Sequence, residues 1–223
     1  TIIQGDPGEG KTTMVLQIIA KLTRGETILP ADSTKDKRID IDSESDMVDA
    51  ENIENNASTQ HLEAPVNVIY QTAEDGLGDT IKPRLLAAGA DCTKVMVIDD
   101  SEQPLTMADV RLEEAIVQTK ARMVVLDPIQ GFLGSEVDMH RANEIRPLMK
   151  RIAVLAEKYH CAIILIGHMN KNSNGKSSYR GLGSIDIMAA VRSLLFIGKV
   201  KKDPTTRVLI HEKSSLAPPG ETM

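Results

Sequence analysis

A glycine-rich segment near the start of the chain has the residue types and spacing that bind nucleotide phosphates. Residues 5–12 read Gly-Asp-Pro-Gly-Glu-Gly-Lys-Thr and fit the pattern G-x-x-x-x-G-K-[ST] without deviation. Such glycines let backbone N–H groups turn inward around phosphate oxygens, and the following helix N-terminus adds partial positive charge. Lys11 would reach the β- and γ-phosphates, and the Thr12 hydroxyl would bind Mg²⁺. The segment therefore predicts a site for ATP and Mg²⁺. Its nucleotide-binding residues would be Gly5, Asp6, Pro7, Gly8, Glu9, Gly10, Lys11, Thr12 and Thr13.

The metal shell also needs a carboxylate at the end of a neighbouring strand, and two apolar runs end in aspartate. Residues 95–98 lead into Asp99 and Asp100, and residues 123–126 lead into Asp127. We favour Asp127, because only one further parallel strand remains after it to complete the sheet. Asp99 and Asp100 would then lie at a solvated strand end, or would form the N-cap of the element that follows.

Hydrolysis requires a base that activates water, and Glu74 is the candidate. Many phosphate-loop ATPases place a glutamate directly after the metal aspartate, but here that position is Pro128, which cannot act as a base. Glu74 follows an expected strand at 66–71, so it should lie at the same carboxyl edge of the sheet as the phosphate loop. A base there contributes roughly 10²- to 10⁴-fold in rate. The alternative is an exposed glutamate in an acidic turn beside Asp75.

The elements that must position these side chains alternate between apolar strands and amphipathic helices. Strands are expected at 1–4, 66–71, 95–98, 123–127 and 161–166. Helices are expected at 11–24, from about 76 to 88, at 106–120, at 139–159 and at 184–190. Pro147 predicts a kink in the fourth helix or its division into two. Near-continuous Val, Ile and Leu strands between helices predict an α/β fold, with a mainly parallel sheet covered by helices on both faces. Two last strands, near 193–197 and 207–211, predict a C-terminal antiparallel hairpin.

Composition places the charges unevenly and excludes several classes of protein. No apolar run approaches 18 residues, which excludes a spanning helix. Cys92 and Cys161 lie far apart, which excludes a disulfide framework or a cysteine zinc site and favours the cytoplasm.

Residues 31–63 hold ten acids and three bases, so 26–64 is expected to be an acidic, flexible insertion. Residues 167–213 hold nine bases and three acids, so a phosphate-rich partner should meet that stretch. We expect one domain over 1–223, cut from a longer chain, since only four residues precede the phosphate loop.

The ordered set of motifs resembles the RecA-like P-loop ATPases, and among them the RepA-type and DnaB-type replicative helicase domains of plasmids and phages. The resemblance rests on the phosphate loop, on Glu74 after the second strand, on Asp127-Pro128 after the fourth, and on Gly-His-Met-Asn-Lys at 167–171 after the fifth. It covers nearly the whole chain except 26–64. It implies a homo-oligomeric ring, usually a hexamer, with ATP between neighbours and single-stranded DNA in the central channel.

The resemblance also implies roles for residues in the C-terminal part. His168 matches the polar residue that senses the γ-phosphate, and 169–182 match the DNA-facing channel loop. Lys213 matches the first member of a Lys-x-Arg pair that points toward the neighbour's nucleotide, but Ser215 stands where the arginine is expected. Alternative sources of the arginine finger are Arg180 and Arg207.

Lys171, Lys176 and Tyr179 are the expected DNA contacts, because lysines bind phosphates and a tyrosine can stack on a base. The alternative for this segment is an ordinary solvated loop, and the alternative for His168 is a strand-end histidine bonded to the main chain.

The expected function is Mg²⁺-dependent ATP hydrolysis coupled to movement on single-stranded DNA, in a helicase-like or recombination-type motor that works with other replication proteins. The alternative is an ATP-dependent switch of the same fold that acts on a protein partner without DNA. A P-loop kinase is disfavoured, since no arginine cluster for a second substrate is apparent.

Overall fold

The computed structural model describes residues 1–28, 64–168 and 185–215. In these ranges the strands are β1 (Ile2–Gly5), β2 (Val68–Thr72), β3 (Val95–Met96), β4 (Met123–Asp127), β5 (Ala162–His168), β6 (Ser193–Val200) and β7 (Asp203–Ser214). The α-helices are α1 (Lys11–Arg24), α2 (Lys82–Ala87), α3 (Val110–Thr119), α4 (Ala142–Lys158) and α5 (Ile185–Ala190). The acidic insertion expected at 26–64 lies, apart from 26–28 and 64, outside the described residues.

The strands form one seven-stranded sheet in the order β3-β2-β4-β5-β1-β6-β7. Neighbours from β3 to β6 pair in parallel, and only β6 and β7 pair antiparallel among the described strands. The predicted α/β class, the mainly parallel sheet and the C-terminal hairpin are therefore confirmed. Because parallel strands end at a common edge, Gly5 lies opposite His168 and Thr72 lies opposite Asp127.

Two apolar cores cover the two faces of the sheet, because successive strand residues point to opposite sides. Ile3 packs with Leu16 of α1 and Leu85 of α2. Ile2, one residue earlier, packs on the other face with residues of the remaining helices. Those residues include Leu112, Ile116, Ile145, Ile152 and Ile187. The helices on both faces follow the expectation, and the carboxyl edge of the sheet stays free for the loops.

Several element boundaries differ from those expected. α4 is a single helix through Pro147 rather than two. Pro147 is exposed and only one turn inside the helix, so the carbonyl of Asn143 that it leaves unpaired lies where water can bond to it. The helix expected before Ala88 begins with a π-helical turn at Leu77–Ile81, and α2 follows directly. β6 and β7 are longer than predicted because they pair with each other over most of their length.

The edge strand β3 ends earlier than expected, and a side chain takes over the pairing. The Gln71 amide donates from Nε2 to the carbonyl of Ile98 and accepts from its N–H, each at 3.0 Å. Both residues are buried. This amide holds the chain after β3 against β2.

Gln71→Leu is therefore expected to lower the free energy of unfolding by about 2 to 4 kcal/mol, since the buried N–H and C=O of Ile98 lose their partners. Urea unfolding would show a lower midpoint with an unchanged slope. Gln118→Leu, at an exposed position of α3, is the control. Equal stability of the two variants would contradict this role of Gln71.

The helices in the described ranges are too short or too polar to cross a membrane.

Candidate nucleotide-binding site

The phosphate loop lies between β1 and α1, as its sequence predicts. Gly8 and Gly10 have φ values of 79° and 101°, in the left-handed region that favours glycine. A Cβ on Gly8 would meet no atom within 4 Å, so the space beside Gly8 is open. Gly10 is the N-cap residue of α1, and none of the described side chains caps this helix. The first N–H groups of α1 are therefore available to an anion.

The Lys11 side chain lies along the loop and is buried. Its Nζ donates to the carbonyl oxygens of Gly5 at 2.8 Å and Asp6 at 2.9 Å. Burial lowers the pKa of Lys11, and the carboxylate of Asp127 partly offsets this effect. These bonds place a cation in the loop before any nucleotide binds.

Thr12 and Asp127 meet directly, although they lie far apart in the sequence. The Thr12 Oγ1 hydroxyl donates to Asp127 Oδ2 at 2.8 Å. The same oxygen accepts a second bond, also at 2.8 Å, from the buried hydroxyl of Tyr70. Burial raises the pKa of Asp127, while the bonds from Tyr70 and Thr12 act in the opposite direction. A hydroxyl beside a carboxylate is the hard-oxygen donor set that Mg²⁺ prefers.

The other carboxylates considered for this role lie elsewhere. Asp99 follows the edge strand β3, and three strands separate β3 from β1. Its Oδ1 accepts from the Ser101 N–H at 3.1 Å and the Ser101 hydroxyl at 2.7 Å, which makes it part of a local turn. The arrangement favours Asp127 over Asp99 and Asp100.

Glu74 and His168 form a pair at the same edge of the sheet. Glu74 Oε2 lies 3.1 Å from His168 Nε2, and the Glu74 side chain is 58 % exposed. The turn after β2 is fixed by Thr72 Oγ1, which accepts from the N–H groups of Glu74 and Asp75. His168 Nδ1 is buried and has no hydrogen-bond partner among the described residues. Both side chains therefore lie near the phosphate loop. The sequence left open that His168 is a strand-end histidine bonded to the main chain, but its ring contacts the Glu74 carboxylate.

Arg84 also contacts the loop region, and the sequence reasoning missed it. One guanidinium nitrogen donates to Thr13 Oγ1 at 2.9 Å, and another lies 3.7 Å from Asp75 Oδ2. Arg84 lies on α2, and only the packing of α2 beside α1 brings it to Thr13. The sole sequence signal was a basic residue on the helix that follows Glu74.

The β6–β7 hairpin packs against the outside of the phosphate loop. Arg207 Nε donates to the Glu9 carbonyl at 3.1 Å, and the Lys199 N–H donates to the Glu9 carboxylate. Lys199 Nζ lies 3.9 Å from the same carboxylate. Glu9 thus links the loop to the hairpin through both its main chain and its side chain.

Lys213, at the far end of β7, binds the last turn of α5 in its own chain. Its Nζ donates to the carbonyls of Met188 at 3.0 Å and Ala189 at 2.8 Å. Lys213 and Arg207 are thus both engaged within the subunit. The remaining residues expected to act on DNA or on a neighbour lie outside the described residues: Lys171, Lys176, Tyr179 and Arg180.

Comparison with known proteins shows which family shares this arrangement. The model of a family described as AAA domain matches residues 1–174. The KaiC-like protein PH0186 from the hyperthermophilic archaeon Pyrococcus horikoshii OT3 has a similar fold, with 14 % identity, a TM-score of 0.58, and coverage of 99 % of this chain and 82 % of that chain. A second solved structure, described as an ATPase domain, is 12 % identical, with a TM-score of 0.64 and coverage of 100 % of this chain and 78 % of that chain. Among curated protein sequences, none matches the chain significantly.

The matched range spans 174 of the 223 residues and includes the phosphate loop, Glu74, Asp127 and His168. The two solved structures share the overall fold of the chain. The chain therefore belongs to the AAA domain family, and its fold is that of a RecA-like P-loop ATPase.

Proposed function

We propose that the chain is a Mg²⁺-dependent ATPase that couples hydrolysis to movement on, or remodelling of, single-stranded DNA. The observation that supports ATP hydrolysis most strongly is that four side chains lie together at one edge of the sheet: Lys11, Thr12, Asp127 and Glu74. The basic stretch at 167–213 supports DNA as the partner.

The described residues fit ATP and Mg²⁺. An uncapped helix N-terminus and the open space at Gly8 suit a triphosphate. Thr12 and Asp127 would hold Mg²⁺, which when bound offsets the negative charge of the β- and γ-phosphates. Lys11 would exchange its bonds to the Gly5 and Asp6 carbonyls for bonds to phosphate oxygens.

Glu74 would orient the attacking water and accept its proton. Its high exposure leaves the carboxylate accessible, and the 3.1 Å contact with His168 fixes its direction. His168 lies at the end of β5, opposite Gly5 of the loop, so the histidine that contacts the base lies on the strand beside the phosphate loop. We propose that it senses the γ-phosphate through this position.

We further propose that the chain acts as a homo-oligomeric ring, in which a cation of one subunit reaches the nucleotide of the next. Arg207 and Lys213 already bind backbone carbonyls of their own chain. Either residue would have to give up these bonds to act on a neighbour. Arg180 is therefore the first candidate to test, by mixing Arg180→Ala subunits with wild-type subunits and measuring ATP turnover.

The proposed DNA path is tested through its salt dependence. If Lys171 and Lys176 each contact a phosphate, replacing both with Ala should reduce the slope of log affinity against log salt by about 1.4, since each contact contributes about 0.7 for single strands. Affinity should fall alike for all sequences, because phosphate contacts carry no base information. DNA-stimulated turnover should drop while basal turnover and assembly persist.

Lys150→Ala, at an exposed position of α4, is the control and should leave the slope unchanged. A double lysine variant with the wild-type slope and full DNA stimulation would remove this loop from the DNA path. That outcome would favour a switch that acts on a protein partner.

A further inference from the structure

Tyr70 is the one tyrosine of the described residues that reaches the proposed metal site. It lies in the middle of β2, opposite Val125 of β4, and its side chain is fully buried. Its ring packs in the core with Ile3 and Val125. Asp127 follows Val125 by two residues and therefore lies on the same face of β4.

A phenylalanine would fill this core position as well, so the hydroxyl needs its own explanation. A buried hydroxyl is unfavourable unless it has a hydrogen-bond partner. Here the partner is Asp127 Oδ2, at 2.8 Å. The hydroxyl donates this bond, and the carboxylate oxygen accepts it.

The two donors on Asp127 converge on a single oxygen. Thr12 Oγ1 and Tyr70 Oη both donate to Oδ2, one from the phosphate loop and one from the core. The carboxylate group turns about its Cβ–Cγ bond. Two donors from different directions hold Oδ2 in place more firmly than one donor does, and a fixed Oδ2 sets the plane of the carboxylate. The donor from the core does not depend on the conformation of the loop.

We propose that Tyr70 is a positioning residue for Mg²⁺: its hydroxyl fixes the Asp127 carboxylate in the orientation that the metal requires. This inference rests on the proposed function, in which Thr12 and Asp127 hold the metal. Groups that orient metal-binding side chains typically change metal affinity by about 10- to 100-fold when removed.

The test uses Tyr70→Phe, which keeps the ring and removes only the hydroxyl. Binding of a fluorescent ADP analogue is measured in EDTA and then across a Mg²⁺ titration. We expect unchanged affinity in EDTA and a rise of about 10-fold or more in the Mg²⁺ concentration that gives half of the metal-dependent change. An unchanged Mg²⁺ midpoint would overturn the inference, and so would an equal loss of affinity with and without Mg²⁺.

Tyr159→Phe is the matched control. The Tyr159 hydroxyl also donates to a carboxylate, Glu113 Oε1 at 2.7 Å, but this pair joins the residue that follows α4 to α3, away from the loop. Its removal should leave both binding measurements unchanged. A Mg²⁺ midpoint that shifts equally in both variants would assign the effect to general loosening and would overturn a specific role of Tyr70.

Asp127→Ala separates failure of this inference from failure of the proposed site. If Asp127→Ala raises the Mg²⁺ midpoint and Tyr70→Phe adds nothing in that background, Tyr70 acts through Asp127. If Asp127→Ala raises the midpoint and Tyr70→Phe alone does not, only the positioning role is wrong. If Asp127→Ala leaves the midpoint unchanged, the proposed metal site itself is wrong, and the inference falls with it.

Discussion

Glu74→Gln is expected to bind ATP normally and to lose roughly 10²- to 10⁴-fold in turnover. The amide keeps the shape of the side chain and can still bond to His168, but it cannot accept a proton from water. Nucleotide affinity, measured by fluorescence titration, and phosphate release, measured at saturating ATP, separate the two effects.

Asp99→Asn and Asp100→Asn are the controls for this substitution. Both follow β3 at the outer edge of the sheet, and Asp99 is bonded to Ser101. Their turnover should equal that of the wild type. Normal hydrolysis by Glu74→Gln with a defect in either control would show that the base belongs to a different strand.

Lys11→Ala is expected to lower nucleotide affinity by about 10- to 100-fold, because charge-assisted hydrogen bonds are worth about 1.5–3 kcal/mol. The lysine is buried, and its ammonium already lies within the loop. Isothermal titration with ATP measures the change directly.

Lys21→Ala provides the matched control on the same helix. Lys21 lies near the C-terminal end of α1, where its Nζ is 3.4 Å from the Thr27 carbonyl. Its removal should leave ATP affinity unchanged. Because Lys11 also binds the Gly5 and Asp6 carbonyls, the thermal midpoint of each variant is measured alongside. Wild-type ATP affinity in a folded Lys11→Ala variant would contradict the assignment of the phosphate loop.

The parts of the site that could be predicted from the sequence follow simple rules. The phosphate loop is contiguous, so its pattern is visible in eight residues. Glu74 and Asp127 are far apart in the chain, but a parallel sheet gathers the carboxyl ends of its strands at one edge. That rule alone places both residues near the loop, together with His168 at the end of β5.

The parts that could not be predicted depend on side-chain reach across the fold. Tyr70 lies inside an apolar strand, so its pattern indicates only a core position, yet its hydroxyl bonds to a residue 57 positions away. Arg84 reaches Thr13 across 71 positions because α2 packs beside α1. The early end of β3 depends on the Gln71 amide, since a side chain there replaces main-chain pairing that strand propensity alone would predict.

The full length of the β6–β7 hairpin also could not be predicted from the sequence. Residues 203–206 are exposed and read Asp-Pro-Thr-Thr, so no apolar alternation marks them as a strand. Asp203 pairs with Val200 and Arg207 pairs with Lys199, so the residues between them form an irregularity at the start of β7. The contacts of Arg207 with the loop and of Lys213 with α5 join segments that are far apart in the chain, and neither contact follows from local sequence.

Phosphate release from ATP by the wild-type chain, with Mg²⁺ and with or without single-stranded DNA, is the measurement on which the proposed function depends most directly. We expect Mg²⁺-dependent hydrolysis that single-stranded DNA accelerates and that Glu74→Gln lowers by roughly 10²- to 10⁴-fold in both conditions. Hydrolysis that DNA leaves unchanged would contradict the proposed coupling, and the absence of hydrolysis in both conditions would contradict the proposed catalytic site.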